Sequence, residues 1–224
     1  MRLSVLSRVT FGAVIAALVL PLSALARKPP ANESDFANLQ SVDRTIAIDL
    51  RYAGSNNVTH RAIYPTGTSA LLRANVAQRL AIAQKYLKAK GYGLKIWDAY
   101  RPAAAQQQLW LATHNRSFVA DPTGGVGSMH TRGAAVDATL VDSSGAEVAM
   151  PTDFDNFTPA AMIAYQGGDP VVRSNLKLLQ KAMAHAGFYG LRTEWWHFCA
   201  PDWKKYPQVP ELKIEPEKKK WWFL

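Results

Sequence analysis

The stretch Ser128-Met129-His130-Thr131-Arg132-Gly133-Ala134-Ala135-Val136-Asp137-Ala138-Thr139-Leu140-Val141 decides the reading of this chain. From Ala134 to Val141 it reads as a strand. Ala135, Asp137, Thr139 and Val141 fall on one face, and Ala134, Val136, Ala138 and Leu140 on the other. Asp137 therefore shares a face with small or apolar residues, where an acid needs a partner. Gly133 allows the backbone to turn between His130 and that strand. Taken singly, His130 is an ordinary loop histidine and Asp137 an ordinary turn acid; the pair becomes informative with a second segment, Glu194-Trp195-Trp196-His197.

Together the two segments supply two imidazoles and two carboxylates. A catalytic zinc takes three nitrogen or oxygen ligands from the protein and keeps one position open for water. His130, Asp137 and His197 fill that count. Glu194 is left over, three residues before the last ligand, as the group that takes a proton from the bound water. His60, His114 and His185 have no acid or second histidine at ligand spacing and are expected to be non-ligands. Cys199 is the single cysteine, so an intrachain disulfide and a paired-cysteine metal site are both excluded.

Outward from these segments, Leu72, Val76, Leu80, Ala83 and Leu87 recur at helical spacing between Leu71 and Lys90, with Gly91 at the C-terminal cap position. Leu94 to Ala99 reads as a strand ending at Tyr100-Arg101-Pro102, and a second helix follows Pro102. Arg101 either pairs with Asp98 for structure or presents its guanidinium to an oxyanion; the pattern leaves both open. A third helix is expected from Ser174, with Leu178, Leu179, Ala182, Met183 and Ala186 inward, and Glu194 to Cys199 is a short aromatic strand. Helices separated by strands with long connections indicate an α+β domain.

At the N-terminus, Arg2 and Arg8 flank an apolar run from Val9 to Leu20, and Ala24-Leu25-Ala26 offers a cleavage site. Residues 1–26 thus read as a signal peptide, too short in its apolar part to span a bilayer. Residues 27–41 read as a linker, 42–207 as the domain, and 208–224 as a tail ending in Lys218-Lys219-Lys220-Trp221-Trp222-Phe223-Leu224. The whole chain carries 26 Lys and Arg against 17 Asp and Glu. Export argues against nucleic acid as the partner of that positive charge. It is compatible with an anionic envelope or with solubility alone. The expected location is the periplasm, without stable membrane insertion after cleavage.

The Ser-x-His-x-x-Gly-x-Ala-x-Asp and Glu-Trp-Trp-His segments resemble those of the zinc D-alanyl-D-alanine dipeptidases, within a wider group of zinc D,D- and L,D-carboxypeptidases. Asp49-Leu50-Arg51-Tyr52-Ala53, Leu71-Leu72-Arg73, Ile96-Trp97-Asp98-Ala99-Tyr100-Arg101-Pro102, Phe154-Asp155-Asn156-Phe157 and Ala186-Gly187-Phe188 follow in the same order, so the resemblance covers roughly residues 42–207. It implies a small α+β domain with a central antiparallel sheet and the metal site at the sheet. It also implies one zinc per chain on His130, Asp137 and His197, with Glu194 as base and then acid. Arg101 would steady the tetrahedral intermediate, oriented by Asp98, and Ser128, Tyr52, Asp155 and Asp98 would form the substrate site. The expected substrate is a D-Ala-D-Ala dipeptide, for recycling of wall dipeptide. A carboxypeptidase trimming muropeptides and a non-catalytic peptidoglycan-binding zinc module are the alternatives. The glycine-rich region from Phe118 to Gly127 is expected to reshape the pocket mouth.

Overall fold

A computed structural model describes residues 35–212; the expected signal peptide and the terminal Lys-Trp run lie outside them. Strand β1 (Phe36–Asn38) and the one-turn helix α1 (Leu39–Val42) come first, then β2 (Ala47–Ile48), β3 (Leu71–Arg73) and α2 (Ala74–Lys88). They are followed by β4 (Gly93–Asp98), α3 (Ala103–Thr113), β5 (Ala135–Val141), α4 (Pro170–His185), β6 (Tyr189–Leu191) and β7 (Glu194–Cys199). The main sheet has the order β2-β4-β5-β7-β6, and β1 pairs with β3 in a separate ribbon. All neighbours in the main sheet are antiparallel except the edge strand β2, which runs parallel to β4. The architecture is the expected α+β domain.

Strand β5 lies at the centre and is buried along its whole length. Val136, Ala138 and Leu140 on one side join the apolar core with Leu80 of α2 and Leu179 of α4. Asp137 points to the other side by the two-residue alternation of a strand. An extra residue in β4 shifts the register between Ile96 and Asp98, so that Asp98 comes opposite Asp137, and Asp137 comes opposite His197. Such bulges re-aim side chains. Here the result is a polar row, Asp98–Asp137–His197, across three adjacent strands.

Three elements differ from the sequence reading. Leu71-Leu72-Arg73 is strand β3, not the first turn of the helix, because Arg73 and Leu72 pair with Phe36 and Ala37. Helix α4 begins at Pro170 rather than at Ser174. Asp169 caps it by accepting from the backbone N–H groups of Val171 and Val172, and proline suits the first helical turn. Residues 36–41, read as the end of a linker, form β1 and, with Val42, α1, and Leu39 is fully buried. At the other end the described part of the tail folds back onto the domain: the Val209 N–H donates to the Thr131 carbonyl and the Ala103 N–H to the Pro210 carbonyl, both at 2.9 Å. No described helix is long and apolar enough to cross a membrane.

Candidate active site

His130 stands in a turn closed by the Gly133 N–H donating to the His130 carbonyl at 2.9 Å, with Gly133 at φ +66°. A Cβ at Gly133 would collide with the Phe36 ring, so glycine is required there on two counts. The turn aims the His130 ring at the polar row of the sheet. His130 Nε2 lies 3.0 Å from His197 Nδ1 and 3.4 Å from Asp137 Oδ1, and His197 Nδ1 lies 2.9 Å from Asp137 Oδ1. Four ligands at about 2.0–2.1 Å around a tetrahedral zinc stand about 3.3 Å apart. The three atoms already form one face of such a figure. Among the described residues this is the group of histidine and acidic side chains that could hold an ion.

The surroundings fit a metal as well. His130 Nδ1 donates to the Ala99 carbonyl at 2.8 Å, which leaves Nε2 bare as a ligand atom. Burial opposes ionisation of Asp137, but the His130 and His197 imidazoles outweigh it and hold the carboxyl well below the usual range. It is therefore an anion available to a cation. Glu194 Oε1 is buried and has no hydrogen-bond partner among the described residues. A buried orphan acceptor is costly, and a water on an ion at the cluster would satisfy it.

These groups share one cavity of about 190 Å³, small against the ~300–1,000 Å³ of pockets for drug-sized ligands. Tyr52, Arg101, Ser128, Asp155 and Glu194 line it with the three cluster residues. Asp155 adopts φ +58°. It accepts from the Tyr52 hydroxyl at 3.1 Å and from the Val58 N–H at 3.0 Å. Burial raises its carboxyl to about 7, and burial likewise raises Glu194 to about 8. Ser128 Oγ accepts from the His130 N–H at 3.2 Å. Segments 115–127 and 150–160 meet over the cavity through the stacked rings of Phe118 and Phe157, 4.5 Å apart. The glycine-rich region thus does shape the pocket wall.

Arg101 is fixed from behind. Its Nε and Nη2 donate to Asp98 Oδ2 at 2.9 and 2.6 Å, and its Nη1 donates to Gln106 Oε1 at 3.0 Å. A guanidinium has five N–H groups, so one on each Nη remains beyond these bonds, and Nη2 also stands 3.7 Å from Asp137 Oδ2. Asp98, which the sequence reading set both as the partner orienting Arg101 and among the substrate-binding residues, is fully buried behind Arg101 and is not among the residues of the cavity wall. It also accepts from the Tyr64 hydroxyl and the Ala99 N–H. Its place is that of a positioning group. Tyr64 and Gln106 were missed from the sequence, because neither stands in a motif or at a telling spacing. His60 and His114 are loop or cap residues with positive φ, and His185 packs at a tilt against Tyr86; none joins the cluster.

The sequence model of the D-ala-D-ala dipeptidase family matches residues 32–213. The chain belongs to that family. Among its relatives is the D-alanyl-D-alanine dipeptidase of Escherichia coli (strain K12), 34% identical over 181 residues that cover 81% of this chain and 92% of the relative. The enzyme of that name from Enterococcus faecalis (strain ATCC 700802 / V583) is 28% identical over 79% of this chain and 96% of its own. The one from Streptomyces coelicolor (strain ATCC BAA-471 / A3(2) / M145) is 30% identical over 73% and 90%. The family is one of metallopeptidases. In this dipeptidase-family member, the matched region contains the whole His130–Asp137–His197 cluster and every residue of the cavity wall named above.

Proposed function

We propose that the chain hydrolyses D-Ala-D-Ala in a zinc-dependent reaction, with His130, Asp137 and His197 holding one ion. Zinc bound there would supply a Lewis acid and a water whose pKa falls from about 15.7 toward about 7. The rest of the chemistry belongs to the chain's own side chains. Glu194 takes the proton of the attacking water and delivers it to the departing amine. Burial raises its carboxyl, while His197 and Arg101 pull it down; further positive charge at the cluster moves it the same way, toward a base competent at neutral pH.

Arg101 directs its two remaining N–H groups at the developing oxyanion, and Asp98 and Gln106 fix the guanidinium before substrate arrives. Asp155 receives the substrate ammonium, with the Tyr52 hydroxyl bound to its other side as a donor. Ser128 keeps its own hydroxyl proton for the substrate carboxylate. The small cavity, lined by both carboxylates and the Arg101 guanidinium, suits a free zwitterionic dipeptide.

The observation that carries this reading is the orphan Glu194 Oε1, which ends in the same small cavity that the three ligating atoms reach. Incubation of the purified, zinc-loaded protein with D-Ala-D-Ala and with a wall pentapeptide tests it. Two D-Ala per dipeptide are expected, abolished by chelator. Release of D-Ala from the pentapeptide alone would establish the carboxypeptidase instead, and no turnover of either would establish the binding module. We further propose export through residues 1–26, on the charge and apolar pattern of that stretch. A periplasmic enzyme would act on dipeptide released from the wall rather than on the cytoplasmic pool. Fractionation of cells expressing the full chain checks this: cytoplasmic, uncleaved protein would refute it.

A further inference from the structure

Strand β7 carries Cys199 two residues after His197, so alternation puts both on one face. Cys199 is fully buried. His197 turns Nδ1 to the cluster, which leaves Nε2 as the N–H end of the ring. That nitrogen lies 3.1 Å from Cys199 Sγ. The thiol in turn donates to Met129 Sδ at 3.2 Å, and Met129 is the peptide neighbour of His130. The two histidines are therefore held in different ways. A backbone carbonyl fixes the ring of His130, and a sulfur fixes the ring of His197.

We propose that Cys199 is a positioning residue for the metal ligand His197. Its sulfur accepts the Nε2–H bond, selects the tautomer that exposes Nδ1, and sets the tilt of the ring. Through Met129 the same sulfur also ties β7 to the turn that carries His130. Outer partners of ligating histidines generally orient the ring, and their loss costs about 10–100-fold in metal affinity. A thiol sulfur is a weak acceptor, but it is the partner that faces Nε2 here. The inference rests on the metal-site reading above.

The test is zinc affinity, measured by competition with a chromophoric chelator, for the wild type, Cys199→Ala and Cys199→Ser, alongside thermal unfolding of each metal-free protein. Cys199→Ala is expected to bind zinc about 10–100-fold more weakly. Cys199→Ser keeps an acceptor and should recover most of that loss, with metal-free unfolding nearly equal in the two variants. Equal zinc affinity of Cys199→Ala and wild type, or equal weakness of both variants, overturns the proposal. Should Cys199→Ala not fold, ¹⁵N NMR of the zinc-loaded wild type decides: a protonated His197 Nε2 and a metal-bound Nδ1 are expected, and the reverse sinks it. A wild type that binds no zinc would instead overturn the metal site itself.

Discussion

Asp137 and His197 stand directly opposite one another on β5 and β7, with Asp137 Oδ1 2.9 Å from His197 Nδ1. Sixty residues separate them in the chain, yet sheet register alone brings them together. His130 completes the group from a turn, not a strand. The cluster therefore joins two central strands to the turn at Gly133.

Loss of a ligand should be felt first in metal content. His130→Ala, Asp137→Asn and His197→Ala are each expected to lower zinc affinity by more than about 100-fold, beyond the cost of losing an outer partner. Dipeptide hydrolysis should fall in parallel. Metal analysis after dialysis, paired with D-Ala release, checks this, and a variant that keeps stoichiometric zinc would remove that residue from the ligand set.

Glu194→Gln should separate binding from chemistry. Zinc content is expected to be unchanged, since Glu194 is outside the ligating triangle, while kcat falls about 10²–10⁴-fold. Full activity of this variant would assign the base elsewhere.

Arg101→Lys is not a conservative change at this position. Lysine cannot donate to Asp98 and Gln106 while still facing the cavity. Loss of a prepared oxyanion donor predicts a kcat reduction of about 10²–10³-fold with zinc retained. Gln106→Leu should give a smaller loss in the same direction, through misplacement of the guanidinium.

Asp155 links the site to pH. Burial raises its carboxyl from the ordinary 3.8 to about 7 in the folded protein. Between those values the folded form keeps a proton that the unfolded form has released, so stability falls as pH rises. The advantage this proton confers is complete below pH 3.8, declines through the interval and is gone above about 7. Denaturant titration of the metal-free protein should therefore show wild type losing ground relative to Asp155→Asn between pH 4 and 8, by on the order of a few kcal/mol. A pH-independent difference would rule out the shift.

Gly133→Ala should damage fold and site together. The residue sits at φ +66°, and its Cβ would meet Phe36. Left-handed backbone costs a non-glycine residue about 1–2 kcal/mol, and overpacking adds about 1–3 kcal/mol. A lower unfolding midpoint with weakened zinc binding is expected; unchanged stability would mean that the turn relaxes freely.

The chemical identities in the site were legible in the amino-acid order. The residue types that could hold an ion, the glycine between His130 and Asp137, and the alternation of β5 are local properties, and local properties survive in a linear string. The same holds for α2, whose helical apolar spacing needs no partner to be recognised. Tertiary structure alone decided three other matters. Strict alternation would set Glu194 and His197 on opposite faces, but Glu194 is the first residue of β7, beside a register shift between Gly190 and Leu191, and both line one cavity. Asp98 reads both as a partner of Arg101 and as a pocket residue, and it is the β4 bulge that draws it behind the guanidinium. The sulfur of Cys199 comes into play only because β7 and the His130 turn close on each other. Each of these depends on how strands register and turns pack, which is set by contacts between residues far apart in the chain and so has no signature in any one segment.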